Sequence, residues 1–178
     1  GRMHLRDRRR RERLVREARA QARLSHPNVV GIHYIGTFEG VPYLAMEYVR
    51  GQSLDDHLHE VGALPWAVAL EYVIQAARAL RAASLTGIVH RDVKPSNFIL
   101  ADARDRGAGD RDIRVADFGL AAWGDGGEGA FIGTPHYAAP EQIDGRTLDH
   151  RSDIYALGVT FYELVVGARP FESESVGE

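Results

Sequence analysis

His90-Arg91-Asp92-Val93-Lys94-Pro95-Ser96-Asn97, followed later by Asp117-Phe118-Gly119, is the stretch whose reading decides the rest of the chain. Within a few dozen residues it offers an acid that can take a proton, a cation beside it, an amide and a second acid. These groups suit phosphoryl transfer. The accepting hydroxyl needs a base, the moving phosphate a positive neighbour, and magnesium hard oxygen ligands in near-octahedral geometry. On this reading Asp92 is the base, Lys94 the cation, and Asn97 and Asp117 the metal ligands. The less specific reading is an acid–base cluster that ends a helix and opens a strand.

A third segment, Ala139-Pro140-Glu141, completes an ordered set. Together the three resemble the signature of the protein kinase family, H-R-D-L-x-x-x-N, D-F-G and A-P-E, with Val93 in place of Leu. Any one alone is a weak signal, and three in the right order are a specific one. Lys94, two residues beyond Asp92, is similar to serine/threonine kinases rather than tyrosine kinases. Gly133-Thr134-Pro135-His136-Tyr137 and Ala139-Pro140-Glu141-Gln142 are most similar to bacterial eukaryotic-like serine/threonine kinases.

Composition narrows the alternatives. A chain of 178 residues suits one domain, its net charge of −3 implies no nucleic-acid partner, and the absence of cysteine removes disulfides and zinc-thiolate sites. No apolar run is long enough to span a bilayer and the start lacks an apolar signal core, so a cytoplasmic body is expected, with a longer parent free to carry a membrane anchor. Lys94 is the only lysine, against twenty-one arginines. A compact ammonium on a flexible stem follows a moving phosphate better than a planar guanidinium does.

Residues 6 to 23 carry Arg8 to Arg11 and then Arg13, Arg16, Arg19 and Arg23, with Leu14, Ala18 and Ala22 every four residues, which predicts an amphipathic helix. Asp7, Glu12 and Glu17 interrupt the charge and argue against a nucleic-acid arm. In the resemblance this is helix C, because Glu17 stands at the family's distance before His26-Pro27-Asn28, and Glu17 is then the ion-pair acid toward the nucleotide. No lysine precedes residue 94 to pair with it, and no glycine-rich loop is present. The chain looks like a kinase domain cut just after its third strand. Gln21 stands where the family packs an apolar side chain against Phe118.

Val29 to Val49 reads as a hairpin turning at Glu39-Gly40. By resemblance these are strands four and five, with Met46 as gatekeeper or plain core, and Glu47, Tyr48 and Val49 as the hinge that meets adenine through backbone groups. Gly51 to Glu60 is expected to form a short solvated helix, whose His57 and His59, two apart, face different ways and cannot share a metal. Pro65 opens a long helix with Leu70, Val73, Ile74, Ala77 and Leu80 on one face, ended by Gly87. Phe98-Ile99-Leu100 is a short strand, with Ile99 as the floor under adenine. Ala101 to Asp112 is a polar insertion lacking calcium-loop spacing, and Ile113 to Ala116 a second strand.

Between Gly119 and Gly133 there is no serine, threonine or tyrosine. In the family Arg91 pairs with a phosphate on this loop. Here Asp125 or Glu128 could serve as a permanent anion, or the segment is a plain flexible loop. Thr134 is expected to contact Asp92 and Lys94. A last helix runs over Asp149 to Gly167 with Ile154, Leu157, Phe161 and Leu164 apolar, and resembles helix F. Asp153 near its start would accept N–H groups of the catalytic loop, or simply cap the helix. Glu141 lacks the arginine that the family places opposite it.

The resemblance covers nearly the whole chain. It implies an α+β, two-lobe kinase-like fold truncated at both ends, with residues 1–46 the remnant of the upper lobe and 47–178 the hinge and part of the lower. The expected cofactors are ATP and Mg2+, the expected partner is a protein bearing a Ser or Thr hydroxyl, and a kinase-domain dimer is allowed. Two other readings stand beside it: a pseudokinase-like or truncated docking module, and a small-molecule phosphotransferase, against which Lys94 and Ala139-Pro140-Glu141 speak.

Overall fold

The computed structural model describes residues 21–39, 41–102, 112–118 and 134–171. Glu17 and most of the helix expected over 6–23, Gly119, Asp125, Glu128 and most of the insertion before Asp112 lie outside the described residues.

Strands β1 (Ile32–Phe38) and β2 (Val41–Met46) pair antiparallel as a hairpin, with Ile32 opposite Met46 and Phe38 opposite Val41. Both strands are rich in β-branched and aromatic residues, and the rings of Tyr34 and Tyr43 sit 5.9 Å apart across the pair. A second sheet has the order β3-β4-β5, formed by Gly51–Ser53, Phe98–Ala101 and Ile113–Val115, all antiparallel. The sequence reading missed β3. Three polar or small residues carry no strand signal, and the segment is a strand because its backbone pairs with β4. Gly51, at φ 147°, is required there, since a Cβ would collide with the Leu100 carbonyl. Ala101 likewise belongs to β4 rather than to the insertion, and its N–H donates to the Asp112 carbonyl at 2.9 Å.

Helix α1 (Leu54–Val61) starts at Ser53, whose hydroxyl accepts the Asp56 N–H at 3.0 Å. It is not wholly solvated as expected, because Leu54 and Leu58 enter the core. His57 and His59 point to separate partners, Gln52 at 3.0 Å and the Asp55 carbonyl at 2.8 Å.

Helix α2 (Trp66–Leu85) follows Pro65 and ends where Gly87 takes φ 76°. Its inner face is not the one the large residues suggest. Ala69, Tyr72, Ala76, Ala79, Leu80 and Ala83 are buried, while Leu70 and Ile74 are exposed. Alanines let α2 approach the last helix closely, and that closeness decides which face turns inward. After the four-residue α3 (Pro140–Ile143), α4 (His150–Val166) packs on α2 and buries Ala156, Leu157, Val159 and Leu164. Ile154, expected on the core face, is exposed. The Leu64 N–H donates to the Leu164 carbonyl at 2.8 Å and fastens the start of α2 to the end of α4. Among the described residues no helix is long and apolar enough to cross a membrane.

Candidate active site

The end of α2 delivers Ile88-Val89 into a loop that runs from His90 to the 3-10 turn Pro95–Asn97. This loop has almost no regular hydrogen bonding of its own, so side chains from elsewhere hold it. Asp153 on α4 does most of this. One of its oxygens accepts the His90 N–H and the other the Arg91 N–H, both at 2.8 Å. Burial raises the Asp153 pKa, and the two N–H donors pull it part of the way back.

His90 is fully buried. Its Nδ1 accepts the Asp92 N–H at 3.3 Å, so in the neutral ring the proton sits on Nε2, which donates to the Ala116 carbonyl at 2.9 Å. Burial lowers its pKa and keeps it neutral, outweighing the nearby acids. The Phe118 ring, also buried, lies 4.6 Å from the imidazole. The imidazole thus joins the loop to the segment that carries Asp117.

Four functional groups converge on Asp92. Lys94 Nζ lies 2.8 Å from its Oδ2, and Asn97 Nδ2 donates to the same oxygen at 3.1 Å and to the Asp92 carbonyl at 2.6 Å. Its Oδ1 accepts the Thr134 N–H at 3.2 Å and the Thr134 hydroxyl at 3.3 Å. Lys94 Nζ donates to that same hydroxyl at 2.7 Å. Burial alone would raise the Asp92 pKa, but the Lys94 hydrogen bond and charge, with help from Asn97, outweigh it and hold the carboxyl below its usual range. Asp92 is an ionised carboxylate in contact with an ammonium.

With Asn97 Nδ2 directed to Asp92, its Oδ1 is the atom available to a cation. The Asn97 carbonyl accepts the Ala116 N–H at 2.9 Å, which brings Asp117 to the same side of the loop. Arg91 and Asp117 are both non-glycine residues at positive φ, 71° and 60°. Such strain persists only where surrounding contacts over-determine the backbone, and it clusters at functional sites.

The residues expected to form the hinge lie between β2 and β3. Met46 ends β2 and is exposed, and Val49 is half-buried. Glu47 donates its N–H to the Gly31 carbonyl at 2.8 Å, and its carboxylate reaches the Gly31 N–H at 3.3 Å and Arg114 at 3.6 Å. Ile99 alternates with the buried Phe98 and Leu100 and so faces the other side of its sheet. Glu141 accepts the Ser152 hydroxyl at 2.6 Å, which lowers its pKa. That hydroxyl is a partner the sequence reading did not name.

Three further anchors escaped the sequence reading. Gln142 donates to the Arg91 carbonyl at 2.9 Å, so the short helix that carries Glu141 also grips the His90–Asn97 loop directly. The Tyr137 hydroxyl donates to Glu163 at 2.5 Å inside the core, with Arg169 3.3 Å from the other oxygen. Asn28 and Gln75 bracket β5. All join residues far apart in sequence, where no local pattern signals them.

A β-hairpin hinged to a helical body, with an acid–lysine–amide loop clamped beneath it, is the architecture of the protein kinase class. Residues 2–178 match the family described as the protein kinase domain, and the chain belongs to that family. It is 41% identical over 165 residues to the serine/threonine-protein kinase PknJ of Mycobacterium tuberculosis, covering 90% of this chain and 27% of that protein. It is 40% identical over 172 residues to the serine/threonine-protein kinase Pkn3 of Myxococcus xanthus, covering 92% and 31%. The crystal structure of the Mycobacterium tuberculosis PknI kinase domain superposes with a TM-score of 0.73 at 33% identity, covering 92% of this chain and 59% of that one. The chain therefore spans about a quarter to a third of the curated relatives it matches.

Proposed function

We propose that this chain carries the phosphoryl-transfer site of a serine/threonine protein kinase, moving the γ-phosphate of MgATP to a protein Ser or Thr hydroxyl. The observation that carries the reading is the placement of the Thr134 hydroxyl, which donates to Asp92 Oδ1 at 3.3 Å and accepts from Lys94 Nζ at 2.7 Å. An incoming alcohol needs the same two neighbours. Asp92 orients the hydroxyl and takes its proton, while Lys94 sets its positive charge against the phosphoryl oxygens.

The donor set fits magnesium. Asn97 Oδ1 and the Asp117 carboxylate are hard oxygens of the kind magnesium takes, with phosphate oxygens and water completing its shell. When bound, the metal supplies charge neutralisation on the phosphates. Met46, Glu47, Val49 and Ile99 border the adenine position, Glu47 through its backbone carbonyl because its side chain is tied to Gly31 and Arg114. Glu17 is the acid assigned to the nucleotide lysine of the family. A cytoplasmic setting accords with this chemistry, which draws on intracellular ATP.

The test is a thermal-shift titration of the chain with ATP, with and without magnesium. The expected result is a stabilisation that needs magnesium and grows with nucleotide as mass action requires. A cooperative melt unmoved by both ligands would overturn the assignment.

A further inference from the structure

Asp117 lies two residues beyond β5, a strand of only three residues, and keeps a left-handed backbone at φ 60°. Its orientation therefore depends on what holds β5. One edge pairs with β4. On the other, the Val115 N–H donates to the Asn28 carbonyl at 2.8 Å and the Val30 N–H to the Val115 carbonyl at 2.9 Å. Asn28 is buried, and its Nδ2 donates to the Ile113 carbonyl at 2.9 Å and to Gln75 Oε1 at 3.1 Å. The same Gln75 oxygen accepts the Ile113 N–H at 2.8 Å. A single amide oxygen on α2 thus gathers two donors, one from the strand and one from the turn that precedes the hairpin.

We propose that Gln75 is a positioning residue for Asp117: its Oε1 fixes the register of β5 between α2 and the Asn28 turn, and so sets where the Asp117 carboxylate meets magnesium. This rests on the assignment of Asp117 to the metal. An apolar side chain of similar size would fill the volume but would leave the Ile113 N–H and the Asn28 amide without their shared acceptor. The strand would then be free to shift by the small distances that octahedral magnesium does not tolerate. Gln75 also couples the two parts of the fold, because α2 belongs to the helical body and Asn28 to the hairpin's entry.

The experiment measures the magnesium concentration at half-maximal thermal stabilisation, at fixed ATP, for the wild-type chain, Gln75→Leu and Gln75→Glu. The Leu variant removes the acceptor, and the Glu variant keeps an oxygen in its place. The expected result is a rise of about tenfold in the magnesium midpoint for Gln75→Leu and near wild-type behaviour for Gln75→Glu, in line with the loss of a group that holds a metal ligand. An unchanged midpoint in Gln75→Leu, or an equal rise in both variants, overturns the proposal and leaves the assignment of Asp117 standing. No magnesium response in the wild-type chain overturns that assignment and the proposal with it. If Gln75→Leu fails to melt cooperatively, Asn28→Ser breaks the same cluster from the other side and is held to the same tenfold expectation.

Discussion

The carboxylate of Asp153 accepts the backbone N–H of Arg91 at 2.8 Å, and Arg91 is held at φ 71°. A helix sixty-two residues downstream thus pins the strained residue next to the proposed base. Replacing Asp153 with Ala leaves the N–H groups of both His90 and Arg91 without acceptors in a buried site. A destabilisation of about 3 kcal/mol is expected by urea unfolding, with a fall in phosphotransfer. Asp153→Asn keeps one acceptor oxygen and should lie between the two.

His90 gives a pH signature. In the unfolded chain the imidazole takes up its proton near 6.5, and burial moves that event lower in the folded state. The unfolded state therefore binds more protons below pH 6.5. His90's contribution to stability is fully present above that pH and declines as pH falls toward the folded value. Wild-type stability should drop faster than that of His90→Gln below pH 6.5, by up to about 1.4 kcal/mol per pH unit in urea melts.

Asp92 shifts in the same direction as His90, but through a charge partner rather than burial. Burial favours the protonated carboxyl, and the Lys94 ammonium overrides it. In Lys94→Met the burial effect is left less opposed, so the Asp92 pKa rises. The acid limb of the kcat/KM profile should move to higher pH in the residual activity of this variant. The contribution that ionised Asp92 makes to stability, present above the usual carboxylate pKa and lost as pH falls through its depressed value, should shrink as well.

Tyr137 and Glu163 test the packing behind the segment that carries Thr134. Tyr137→Phe removes the donor 2.5 Å from a buried carboxylate oxygen and, among the described residues, leaves Arg169 on the other oxygen. A loss of about 1–3 kcal/mol in urea unfolding is expected.

The convergence of Asp92, Lys94 and Asn97 was legible because it is local: they lie on one loop, and spacing alone puts them within reach of one another. The hairpin and the long helices were legible from periodicity and from Glu39-Gly40, Pro65 and Gly87. What could not be read rests on distant partners. Gly51–Ser53 becomes a strand only through β4, and α2 turns its alanines inward because α4 is near. Glu141 meets Ser152, and Gln75 meets Ile113 thirty-eight residues away. Hydrogen bonds of that span leave no period in the sequence.

The most direct measurement is transfer of labelled γ-phosphate from MgATP to serine- and threonine-containing protein, comparing the chain with Asp92→Asn. The account predicts label on Ser and Thr, reduced by about 10²–10⁴ in Asp92→Asn, with magnesium-dependent nucleotide binding retained. Equal transfer by both proteins would contradict the role of Asp92. Nucleotide binding without any transfer by the wild-type chain would contradict the assigned reaction and favour a docking role instead.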